Sequence, residues 1–65
     1  MCPLDRMYIE HNELLDKYNK LVAFLEREDR VAIAGEMQVD LMEKQAGQMS
    51  EYLFTLRIRI ELMKK

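Results

Sequence analysis

The side chains in this sequence with the makings of a site are three tyrosines (Tyr8, Tyr18 and Tyr52), one histidine (His11) and a scatter of arginines, lysines and amides. A tyrosine ring can stack on a nucleobase or a nicotinamide-type ring. Arginine holds phosphate through two parallel N–H donors. Gln45, Tyr52 and Arg59 are spaced by seven, so on a helix they form one polar column. Arg57 and Arg59 flank Ile58, and Arg6, Lys17 and Lys20 are further candidate phosphate contacts, each also readable as solvated charge. The polar column has two readings, a solvated rim of an interface or the wall of a pocket between subunits. Asn12 and Asn19 also lie seven apart, fitting an interhelical amide pair or a polar contact. His11 is either a partly buried ring bonded to Gln45 or Tyr52, or a polar group facing a ligand.

Catalysis finds no footing in these residues, and no catalytic residue is assigned. Ser50 is the only serine, no Ser, His and Asp set is present, and no Gly-rich phosphate loop occurs. Glu10 and His11 are adjacent and so point to different faces of a helix. One cysteine, Cys2, and one histidine cannot complete a tetrahedral zinc site, so neither a metal nor a cofactor is expected. A lone Cys also forms no disulfide framework and fits a reducing cytosol. An enzyme, such as a hydrolase of a nucleotide, is therefore not expected.

The elements that must position the polar residues are two helices. Pro3 sits where a first helical turn loses nothing by its missing N–H, and Asp5 meets the positive end of the dipole. From there Leu4, Met7, His11, Leu14, Tyr18, Leu21 and Leu25 recur in alternating steps of three and four, a heptad seam. Tyr8, Leu15 and Val22 widen it. Glu10, Glu13, Asp16, Lys17 and Lys20 lie opposite, with Glu13–Lys17 and Asp16–Lys20 in the favourable order for pairing. The pattern predicts helix one over about 3–26, a connector over about 27–35 and helix two over about 36–63. In the connector, EREDR is all charged, and VAIAG offers a turn whose Ala32, Ile33 and Ala34 would cap the hairpin core.

Helix two carries the longest seam: Val39, Met42, Ala46, Met49, Leu53, Leu56, Ile60 and Met63. Gly47 lies within it at a cost of roughly 1 kcal/mol against Ala; it either permits close approach of another helix or is a tolerated defect. Phe54, Ile58 and Leu62 point away from this seam. A short link makes the helices antiparallel neighbours, and a two-helix hairpin cannot cover both faces of one of its own helices. The expected architecture is thus an all-α, antiparallel, coiled-coil-like hairpin, one domain over 1–65, assembling into a homo-oligomeric bundle. Phe54, Ile58 and Leu62, with Leu53 and Leu56 beside them, form its expected interface.

Size supports self-association. A chain of 65 residues buries only about 60% of its unfolded surface and usually needs a staple or a partner. Net charge is −2, which is not the balance of a duplex-DNA binder. No apolar run approaches the ~20 residues of a membrane span. MCPLDRMYIE has no basic region followed by an apolar stretch, so no signal peptide is expected.

Residues 6–26 and 40–62 resemble a group of very short bacteriophage proteins related to crAss-phage. The residues that carry the likeness are Arg6, Glu10, Glu13, Leu14, Lys17, Tyr18, Lys20, Leu21 and Phe24 in helix one. In helix two they are Leu41, Met42, Gln45, Met49, Tyr52, Leu56, Arg59 and Ile60. The connector departs, with VAIAG where that group has an acidic, proline-containing link. The resemblance implies a phage origin and a place in the host bacterial cytoplasm. By analogy with phage-encoded sponges, it implies an anti-defence protein that sequesters a cyclic oligonucleotide or cyclic ADP-ribose type of signal. The site would then draw on Arg6, Tyr8, His11, Asn12, Lys17, Tyr18, Gln45, Tyr52, Arg57 and Arg59, with a second copy and the nucleotide as partners. The alternative is a protein-binding or scaffolding hairpin that uses the Phe54, Ile58 and Leu62 face.

Overall fold

Apolar residues at heptad spacing bind two long helices side by side in the computed structural model, which describes residues 2–64. Helix α1 spans Pro3–Leu25, a one-turn helix α2 spans Arg30–Ala34, and α3 spans Glu36–Lys64. No strand occurs among the described residues. The helices run antiparallel, bringing Tyr8 beside Lys64 and Glu10 beside Tyr52. The result is a rod of 47 × 17 × 14 Å.

Each boundary has a local cause. Pro3 occupies the first helical turn, and the Cys2 carbonyl accepts the Arg6 N–H at 3.3 Å. After Leu25 the chain turns through a short loop. There the Arg27 guanidinium grips the Asp29 carboxylate with two hydrogen bonds of 2.9 and 3.0 Å, and Arg30 donates to the Arg27 carbonyl at 3.0 Å. Gly35 ends α2 and opens α3. Its φ of 87° and ψ of 155° belong to a region closed to side chains with a Cβ. In that posture its N–H reaches the Val31 carbonyl at 2.8 Å, and its own carbonyl accepts the Val39 N–H at 3.0 Å.

The core is thin. Met7 from α1 and Val39, Leu53, Leu56 and Ile60 from α3 are its buried apolar members, Leu56 being only 1% exposed. The other α1 seam residues (Leu4, His11, Leu14, Tyr18, Leu21 and Leu25) are half-buried around them. Three expectations change here. Leu53 and Leu56, expected at an interface between copies, are buried inside the hairpin instead, because their positions belong to the face turned to α1. Ile33 does not cap the core; it is 58% exposed, since α2 is too short to fold back over the helix ends. Met63, last in the α3 seam, is exposed where α1 has come to its end.

Phe54, Ile58 and Leu62 are exposed, as are Met37 and Leu41 further up the same helix. α3 therefore presents apolar side chains both to α1 and to water. Among the described residues no helix is long and apolar enough to cross a membrane.

Candidate functional site

A groove of about 420 Å³ runs between α1 and α3 at mid-height, lined by Glu10, Glu13, Leu14, Lys17, Gln45, Gln48, Met49 and Tyr52. Its construction follows from two matched ladders. Glu10, Glu13 and Lys17 climb α1 in steps of three and four, and Gln45, Gln48 and Tyr52 do the same along α3. Side chains so spaced share a helix face, so the antiparallel packing sets one polar ladder opposite the other. Leu14 and Met49 form the apolar floor where the ladders meet.

Tyr52 is the fixed point of the groove. Its hydroxyl donates to the Glu10 carboxylate across the helix pair. That bond, with the negative charge of Glu10, raises the Tyr52 pKa above its ordinary 10.0, and Arg59 opposes the rise electrostatically. The hydrogen bond favours the protonated phenol and ties the ring to the groove edge. Glu10 and Glu13 supply acceptors, Gln45 and Gln48 supply both donors and acceptors, and Lys17 is the one cation lining the groove. This set suits a ligand with hydroxyls or amino groups for the carboxylates, a planar ring for Tyr52 and one anionic group for Lys17.

Of the residues singled out in the sequence, Lys17, Gln45 and Tyr52 line this groove, and the others do not. His11 bonds neither Gln45 nor Tyr52; its Nδ1 lies 3.2 Å from the Asn12 side-chain oxygen. Tyr8 lies at the open end of the hairpin, with the Lys64 ammonium 5.6 Å from its ring centre. The Tyr8 hydroxyl, and then the Glu61 carboxylate, hold the Lys64 pKa above its ordinary value. Arg57 belongs to a second, smaller hollow of about 360 Å³ with Phe54, Ile58, Glu61 and Leu62. Arg6 and Asn12 are exposed and Tyr18 is half-buried in the seam. The ten candidates are therefore spread along the whole rod. Glu10, Glu13 and Gln48 join the groove without being candidates by residue type, and the signal that marks them is their three-and-four spacing against Lys17 and Tyr52. No cluster of His, Cys, Asp and Glu able to hold a metal occurs among the described residues.

The Sequestin family model matches residues 3–62, which takes in both long helices and the turn between them. No curated protein and no solved structure matches the chain. The family name speaks of sequestering a molecule. With nearly its whole length matched, from the first turn of α1 to the last turns of α3, the chain belongs to the Sequestin family.

Proposed function

We propose that this protein is a phage anti-defence factor that sequesters a nucleotide immune signal, of cyclic oligonucleotide or cyclic ADP-ribose type, without turning it over. The single observation that carries the reading is the Tyr52 groove. It sets an aromatic ring, two carboxylates, two amides and one ammonium around an apolar floor. In this reading the base lies against Tyr52, ribose hydroxyls donate to Glu13, and a phosphate meets Lys17. Arg59, whose charge is already felt at Tyr52, provides the second phosphate contact. Two carboxylates beside one lysine disfavour a bare anion, so the ligand must offer hydrogen-bond donors as well as phosphate. The family name supports sequestration as the mode of action. The partners are further copies of the chain and the small nucleotide, with neither duplex nucleic acid nor membrane, and the setting is the host cytoplasm.

Sequestration acts through stoichiometry, so affinity and copy number set its strength. Ligand binding stabilises the folded protein by RT ln(1 + [L]/Kd), roughly 2.7 kcal/mol at a hundredfold excess. A thermal-shift screen against cyclic dinucleotides, cyclic trinucleotides and cyclic ADP-riboses tests the proposal. A rise in melting temperature with one class, and recovery of that ligand unchanged, is the expected result. A flat response to all of them at millimolar concentration would sink it.

A further inference from the structure

Helix α3 carries a second seam. Met37, Leu41, Lys44, Gln48, Glu51, Thr55, Ile58 and Leu62 recur in alternating steps of four and three, and every one of them is exposed. These positions lie on the side of the helix away from Val39, Leu53, Leu56 and Ile60, which α1 covers, with Gln48 at the edge where the groove opens. The seam is apolar at both ends, with Met37 80% and Leu62 65% exposed, and polar in the middle. Its apolar ends are the kind of surface one helix offers to another, and its four polar middle positions (Lys44, Gln48, Glu51 and Thr55) set register rather than add apolar burial.

We infer that a second copy of this chain docks antiparallel along this seam, and that the partner's Gln45 and Tyr52 thereby complete the Tyr52 groove. Charge selects the direction. A parallel, in-register pair sets Lys44 on the partner's Lys44 and Glu51 on the partner's Glu51. Reversed, the layers match Met37 with the partner's Leu62, Leu41 with the partner's Ile58, and Gln48 with the partner's Glu51. Lys44 then faces the partner's Thr55, within one turn of the partner's Glu51. Each contact occurs twice because the pair is symmetric.

Two further features fall into place in that register. In an antiparallel pair like edges of the seam face each other, so Phe54 comes opposite the partner's Gly47. A Cβ at Gly47 would meet nothing within 4 Å in the single chain, so there is room at this position for the partner's Phe54, a ring that is 66% exposed. On the other edge, Gln45 comes opposite the partner's Tyr52, and Gln38 opposite the partner's Arg59. That is the edge on which the groove opens, so the partner roofs it with an aromatic ring and an amide. Two like-charged approaches remain. Asp40 comes toward the partner's Glu61 near the ends of the overlap. Glu51 comes toward the partner's Glu51 across the two-fold axis, about 4.5 Å apart along the helix, where the partner's Lys44 lies within one turn of each Glu51. The pairing itself stands on α3 alone; only the roofing of the groove rests on the nucleotide reading.

Paired cysteines test the register, in a Cys2→Ser background and without nucleotide. Met37→Cys and Leu62→Cys chains, refolded together and oxidised, should give a disulfide-linked dimer, and neither should link to itself. In the proposed register two copies of position 37 lie about 37 Å apart along the axis at 1.5 Å per residue. Self-linking of Met37→Cys shows a parallel pair and overturns the inference. So does sedimentation of the natural chain as a single subunit at micromolar concentration. The double variant Leu41→Asp with Ile58→Asp should sediment as a monomer while keeping its helical circular dichroism, because the α1 seam is untouched. If that variant unfolds, the cysteine result still decides the register. A dimer of this register that responds to no nucleotide refutes the nucleotide reading and leaves the pairing standing.

Discussion

Tyr52 and Glu10 are 42 residues apart in the chain and share one hydrogen bond, the Tyr52 hydroxyl donating to the Glu10 carboxylate. It is a cross-link between the two polar ladders, and it has a titration signature. The raised Tyr52 pKa means that the bond's contribution to stability is fully present below pH 10.0, the ordinary value, and is lost as pH climbs through the higher folded value. In an absorbance titration of tyrosinate, one of the three tyrosines should ionise late. Glu10→Gln should bring that late step back toward the ordinary range. A late step that persists in Glu10→Gln would show that another group holds the phenol.

Ligand affinity should depend on the groove and not on the rest of the rod. Lys17→Gln removes the cation that lines it, and a hydrogen bond to a charged group contributes about 1.5–3 kcal/mol. The thermal shift with the active nucleotide should therefore correspond to an affinity roughly tenfold weaker or worse. Arg57→Gln, at the second hollow with Phe54 and Leu62, should leave the shift unchanged. Equal losses from both would indicate a diffuse electrostatic effect rather than a site.

Leu56 is the most completely buried side chain in the hairpin. Truncating a buried leucine to alanine costs about 2–5 kcal/mol. Domains are stable by only about 0.05–0.15 kcal/mol per residue, so a chain of this length has little beyond that to lose. Leu56→Ala should melt most of the helical signal at room temperature in urea-free buffer. A cooperative unfolding curve shifted by less than ~1 kcal/mol would mean that the seam is less central than its burial implies.

Gly35 and Gly47 should respond to alanine in opposite directions. At Gly35 the backbone sits where a Cβ is strained, and Gly35→Ala should destabilise by about 1–3 kcal/mol. At Gly47 the backbone is helical and the space is open. There the substitution should stabilise the hairpin by up to ~1 kcal/mol. Chemical denaturation of the two variants side by side, on the Leu41→Asp with Ile58→Asp background to remove association, reads both effects.

Periodicity made the helices legible. The three-and-four steps of Leu4 through Leu25 and of Val39 through Ile60 report which residues face the partner helix, because burial repeats with the turn of the helix. The connector was harder. Nothing in VAIAG says whether its apolar side chains fold inward, and Ile33 ended in solvent because five residues cannot reach back across two helix ends. For the site, Lys17, Gln45 and Tyr52 line the groove, whereas Arg6, Tyr8 and Arg57 suit a phosphate or a base equally by type and do not line it. Residue type alone marks what can bind a phosphate; only the pairing of the helices says which residues meet. Glu10 was overlooked because a carboxylate on a polar face reads as solvated charge, and its bond to Tyr52 depends on a neighbour 42 residues away.

The unbroken run of α3 through 29 residues sets a rule for how such chains can vary in length. One residue inserted near its middle turns everything that follows by about 100°. Leu53, Leu56 and Ile60 would swing off α1 together, whatever the inserted residue was. Replacements in α3 are graded in their effect, but a change of length keeps the seam on α1 only where it nearly restores the rotation, as seven residues do and three or four do in part. Relatives should therefore gain and lose residues between Leu25 and Glu36, where the chain can loop out without rotating a helix.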